Sequence, residues 1–69
     1  MIPAKIQFEL KIRGITQKQI ADELGIHPIS VSREVNKIAG SERVRRAVAR
    51  AIDRDPIEIF PEFYFRPKR

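Results

Sequence analysis

The sequence predicts an all-α domain, a bundle of about five short helices, and three observations carry that prediction. Glycine and proline cut the 69 residues into short segments: Gly14 follows "PAKIQFELKIR", Gly25 follows "TQKQIADEL", Gly40 precedes "SERVRRAVARAIDR", and Pro56 and Pro61 bracket "IEIF". Apolar residues within the clearest segments recur at helical rather than strand period. Thr16, Ser41 and Asp55 stand where helix-capping residues are wanted.

The first segment is the ambiguous one. Ile6, Phe8, Leu10 and Ile12 alternate as in a strand, yet the pairs Ile6/Leu10 and Phe8/Ile12 also fit i,i+4 spacing. Pro3 at its start and Gly14 past its end decide for a helix. In the second segment Thr16 and Gln19 have capping-box spacing, Ile20, Ala21 and Leu24 form the apolar stripe, and Gly25 supplies a left-handed terminus. The third, "HPISVSREVN", starts with His27 as a poor cap and Pro28 in the first turn, and is expected to run over 28–37 or on towards Gly40. The fourth buries Val44, Ala47, Val48, Ala51 and Ile52, while Arg43, Arg45, Arg46, Arg50 and Arg54 cover the remaining surface. Asp55-Pro56 opens a short fifth helix through Phe60, which Pro61 ends. Phe60, Phe63, Tyr64 and Phe65 are expected to fold back and add aromatic area to the core. Residues 1–65 thus read as one domain, and 66–69, "RPKR", as a basic flexible tail.

Composition narrows the function classes. At this length only about 60% of the unfolded chain's surface is buried on folding, so stability is marginal. There is no cysteine, which excludes disulfides and cysteine zinc sites and fits a reducing compartment. No apolar run approaches the roughly 20 residues of a membrane span, and no signal-peptide pattern is present. The expectation is a soluble cytoplasmic domain with no membrane role. An enzyme is not expected: the single histidine has no metal-ligand spacing, no glycine-rich phosphate loop exists, and no cofactor or small-molecule substrate is implied. The net charge of +5 and pI of about 10.3 suggest an anionic partner, commonly nucleic acid. Three of the cations lie in the last four residues, so residues 1–65 carry only +2 and charge alone does not decide.

The third helix is more telling. At about 100° per residue, Val31, Val35 and Ile38 fall on one inward side, and Pro28, Ile29, Ser32, Arg33 and Asn36 on the other. So narrow a stripe belongs to a helix supported from one side only. A glycine-containing link to the preceding helix completes the connectivity of a helix-turn-helix, whose second helix enters the DNA major groove.

"QKQIADELGIHPISVSREVN" resembles the helix-turn-helix unit of bacterial and phage regulators, with Gln17, Ala21, Gly25, Ile26 and Val31 in the matching positions. "AIDRDPIEIFPEFY" resembles the ending of the Ner and Nlp family of lambda-repressor-like domains. Together the resemblance spans about residues 5–64. It implies a five-helix domain that binds double-stranded DNA and regulates transcription, commonly as a homodimer on a pseudo-palindromic site, in the cytoplasm of a bacterium or phage-infected cell. It implies that Gln17 meets a phosphate, and that His27, Pro28, Ile29, Ser32 and Arg33 face the groove. Glu34 departs from the family pattern, in which an aliphatic residue is common. An unpaired carboxylate at the edge of the inward face is costly, so Glu34 is expected to pair with an arginine of helix four unless the helix is rotated.

Each candidate has a plainer reading beside it. Arg33 suits a bidentate guanine contact, or a phosphate or ion pair. Ser32 suits a base edge or a phosphate, or plain solvation, and Ile29 suits a thymine methyl or a neighbouring side chain. Lys18, with Gln17, lies where a helix start meets a backbone phosphate, against solvation or local capping. Asn36 reads as a phosphate ligand or as a helix-end cap. Arg43 and Arg46 are the helix-four arginines assigned to phosphates, against a solvated charge run. The rivals to a DNA-binding regulator are the DNA-targeting module of a transposition or recombination system, and a protein-interaction module that has kept the fold.

Overall fold

Five helices and a terminal 3-10 turn follow one another in the computed structural model, which describes residues 1–38 and 41–64: α1 Pro3–Ile12, α2 Gln17–Leu24, α3 Pro28–Val35, α4 Glu42–Ala51, α5 Pro56–Ile59 and the turn Pro61–Phe63. The described residues contain no strand, so the all-α expectation holds. None of these helices is long and apolar enough to cross a membrane. Phe65 and the "RPKR" tail lie outside the described residues, as do Ala39 and Gly40.

In α1 the alternating pattern resolves as a helix with one pair inward. Ile6 and Leu10 are buried, while Phe8 and Ile12 are more than half exposed. The two pairs lie on opposite sides of a helix, so only one can face the core. The inward face of α1 also carries Glu9, which is bonded by Arg13 and lies 4.0 Å from Arg54 beyond α4.

The caps set the rest of the path. Thr16 Oγ1 accepts from the Gln19 N–H at 3.0 Å, and Gln19 Oε1 accepts from the Thr16 N–H at 2.8 Å, closing the expected capping box. Gly25, at φ 69, turns the chain left-handed, and the Ile26 N–H returns to the Ala21 carbonyl. His27 does cap α3 in place of serine or threonine: its Nδ1 accepts from the Ile29 N–H at 3.1 Å. Ser41 and Asp55 cap α4 and α5 through their side-chain oxygens.

Helix α3 ends earlier than the sequence suggests. The last helical residue is Val35, Asn36 closes the helix, and Lys37 takes a left-handed φ of 63. The Ile38 N–H then returns to the Arg33 carbonyl at 2.8 Å. Ile38 therefore leaves the inward stripe and is 75% exposed, which corrects its assignment beside Val31 and Val35. Helix α5 likewise stops at Ile59, and Pro61 opens the 3-10 turn instead of merely ending a helix.

The core gathers Ile6, Leu10, Ile20, Ala21, Val31, Val35, Val44, Val48, Ala49, Ile52, Ile59 and Phe60. On α4, Ala49 is buried where Ala47 and Ala51 are only half-buried, and Arg45 is buried among them instead of lying on the solvated face. Phe60 is fully enclosed; Phe63 and Tyr64 pack on the core edge, as expected of the aromatic ending.

Candidate nucleic-acid interface

The outer face of α3 begins with a connection of three residues. Gly25, Ile26 and His27 join α2 to α3, and these two helices pack on each other more extensively than any other pair. Val31 and Val35 bury completely. Their burial leaves Pro28 and Ser32 half-buried and Ile29, Arg33 and Asn36 exposed, all on the opposite side. Ile29 is 52% exposed, and Arg33 has no side-chain partner among the described residues. His27, exposed at the head of the helix, uses Nδ1 for its cap and leaves only its other nitrogen for a ligand.

Asn36 acts as the helix-end cap its alternative reading proposed. Its Nδ2 donates to the Ser32 carbonyl at 2.8 Å. That bond occupies one of its two amide protons and still leaves its oxygen for a neighbour.

The candidate phosphate ligands divide between two places. Gln17 and Lys18 occupy the first turn of α2, where backbone N–H groups lack helical partners and the helix dipole favours an anion. Lys18 Nζ lies 3.2 Å from Asp22 Oδ2, with both side chains largely exposed. Arg43 and Arg46 lie on α4. Arg43 Nη2 donates to the Leu24 carbonyl at 2.8 Å, so it serves the end of α2 and not its start. Arg46 pairs with Glu42 at 3.0 Å. Exposed i,i+4 pairs of this kind contribute only about 0.3–0.5 kcal/mol, so a phosphate can displace either carboxylate.

Behind α3 the expected partner of Glu34 is Arg45. The Glu34 side chain is fully enclosed, with Oε2 3.2 Å from Arg45 Nη1 and Oε1 accepting from the Ser41 N–H at 2.9 Å. The Arg45 guanidinium sits over the Phe63 ring at 4.6 Å and the Tyr64 ring at 5.3 Å. Burial works against the Arg45 charge, but Tyr64 and Glu34 outweigh it and raise its pKa above the ordinary arginine value. Two signals pointed to Arg45: it lies three residues before Val48 and seven before Ile52, the spacing of one helix face, and Glu34 is a carboxylate that needed a cation.

A second tie reaches the end of α3. Lys37 Nζ and Glu62 Oε2 are 2.6 Å apart. Burial pushes the Glu62 carboxyl up, yet the Lys37 hydrogen bond and charge outweigh it and hold the pKa below the ordinary 4.5. A depressed carboxylate contributes stability above its unfolded value and loses it as pH falls through the folded one. Glu62→Gln is therefore expected to lower Tm modestly at neutral pH, with the gap to the parent closing as pH drops below about 4. Melting both proteins across that range checks this, and a gap independent of pH contradicts it.

Comparison with known protein families, characterised proteins and solved structures finds no match to this chain.

Proposed function

We propose that this chain binds duplex DNA in a sequence-dependent way and regulates transcription, with α3 lying in the major groove. The observation that carries this reading is the outer face of α3. It presents Pro28, Ile29, Ser32 and Arg33, which has no side-chain partner among the described residues, to solvent while Val31 and Val35 anchor the helix behind them. The packed α2–α3 pair around Gly25 and the regulator-like sequence across it support the same reading. In it, Arg33 reads a guanine, Ile29 meets a thymine methyl, and Ser32 and His27 contact neighbouring base edges. The start of α2 with Lys18, and Arg43 and Arg46 on α4, hold phosphates. One short helix reads only a few base pairs, so two copies act together on half-sites about 34 Å apart.

The test separates reading from holding. Selection from random duplexes first defines the preferred site, and an enriched inverted repeat is the expected outcome. Arg33→Ala should then cost about 1–3 kcal/mol at that site and relax the choice at one base position. Lys18→Ala should weaken all duplexes alike, because phosphates carry no sequence information. Val31→Ala is the stability control, expected to lower folding stability by roughly 2 kcal/mol as two buried methyl groups are lost. Affinities for every single-base variant of the site, with melting curves alongside, decide the matter. A uniform loss from Arg33→Ala would make Arg33 a phosphate clamp and leave reading to Ile29 and Ser32.

A further inference from the structure

The polar ties that hold α3 to α4 lie behind its outer face. Glu34 is the one charged side chain on the inward side of the helix, and both of its oxygens are bonded to α4: one to the backbone of the α4 cap, Ser41, and one to Arg45 in the first turn. Arg45, 7% exposed, is held in turn against the Phe63 and Tyr64 rings. Phe63 meets Phe60 edge to face, with ring centres 6.2 Å apart, and Phe60 is fully buried in the core. Lys37–Glu62 ties the exit from α3, one residue past its cap, to the same terminal turn. A continuous line of contacts thus runs from the core, through the aromatic ending and Arg45, to the back of α3.

Such a pair is a poor stabilising device. Removing two charges from water costs about as much as their attraction returns, and apolar replacements of similar volume often leave stability unchanged or raise it. Val31 and Val35 already anchor α3 to the core, but apolar contacts are not directional. The carboxylate's two directional bonds fix what the valines leave free, the rotation and slide of α3 against α4.

We infer that Glu34 and Arg45 are positioning residues for DNA reading, with Phe63 and Tyr64 as the backing that holds Arg45 in place. The aromatic ending thereby governs the recognition face without touching DNA. This rests on the DNA reading proposed above. It makes the pair responsible for discrimination between sites more than for stability or general affinity, since non-specific binding tolerates a slightly turned helix and base contacts do not.

The test is the double substitution Glu34→Met with Arg45→Met, which removes both charges while keeping the volume. Its affinity is measured for the preferred duplex and for a scrambled duplex, well below its melting temperature. The expected result is a modest fall in Tm, because the Ser41 N–H loses its acceptor, with scrambled-duplex affinity within about twofold and preferred-site affinity down by about tenfold. A merely structural role would leave the ratio of the two affinities alone, whatever the change in Tm. Phe63→Leu, at the half-buried edge, supplies the second measurement should the double variant not fold. It should lower the ratio by about threefold, and Phe63→Tyr, which keeps the ring, should restore it. An unchanged ratio in a folded variant, with the parent discriminating, overturns this inference and leaves the DNA reading standing. A parent that binds no duplex overturns both.

Discussion

Glu34→Ala is expected to cost about 3–5 kcal/mol of folding stability, because it leaves Arg45 as a buried charge without its counter-ion. Arg45 is 7% exposed and its Nε has no hydrogen-bond partner among the described residues, so water cannot readily take over what Glu34 supplied. The Ser41 N–H, at the head of α4, loses its acceptor in the same step. A domain of this length has about 3–10 kcal/mol of stability in total, so the change should bring the protein close to its unfolding midpoint at room temperature. Arg45→Ala strands the opposite charge and should be comparably severe, whereas the paired methionine replacement strands no charge and should cost only the Ser41 hydrogen bond. Denaturant titration of the three variants measures this. A loss below about 1 kcal/mol in Glu34→Ala would mean that Arg45 finds solvent or another acceptor, against its enclosure behind α3.

The same pair shows where sequence reasoning reached and where it stopped. Signals that act within four residues were legible. The Thr16–Gln19 box, the left-handed Gly25, the Pro28 and Pro56 starts and the Val31/Val35 stripe all act locally, and all are present. The end of α3 was not legible, because the left-handed exit falls on Lys37 and not on glycine. A lysine at positive φ is uncommon and carries no sequence mark. Here the carboxylate of Glu62, 25 residues away, holds its side chain. Helical period on α4 found Val44, Val48 and Ile52 and puts Arg45 beside them, but its charge ranked it with the solvated arginines, since the partners that let it be buried come from α3 and the terminal turn. Glu9 was passed over although helical period puts it on the Ile6/Leu10 face; what the period does not show is that Arg13 and Arg54 meet its charge there. The candidate reading residues were legible as a face of α3. The roles of Asn36, as a helix-end cap, and Arg43, bonded to the Leu24 carbonyl, needed coordinates.

Duplex affinity should fall by about two orders of magnitude per protomer between about 50 and 200 mM salt. The expectation comes from the charges themselves. Lys18, Arg33, Arg43 and Arg46 are exposed cations at the places assigned to DNA, and each neutralised phosphate contributes roughly −0.9 to the log–log slope. Four such contacts give a slope of about −3.6, and a pair of copies about twice that. Among the described residues Arg33 starts without a partner, whereas Lys18 must leave Asp22 and Arg46 must leave Glu42. Those exchanges weaken binding at every salt concentration. They also flatten the slope slightly, because salt screens the competing carboxylates as well. Asp22→Asn and Glu42→Gln should therefore tighten binding to any duplex, most at low salt, and steepen the dependence. Arg43 differs in kind, since its present acceptor is a neutral carbonyl, and Arg43→Ala should reduce the slope by about 0.9. Titrations of a labelled duplex across the salt series measure each slope. Affinity that does not change with salt would exclude phosphate neutralisation and, with it, the assignment of α3 to the major groove. It would then favour a protein surface as the partner of Ile29 and its neighbours.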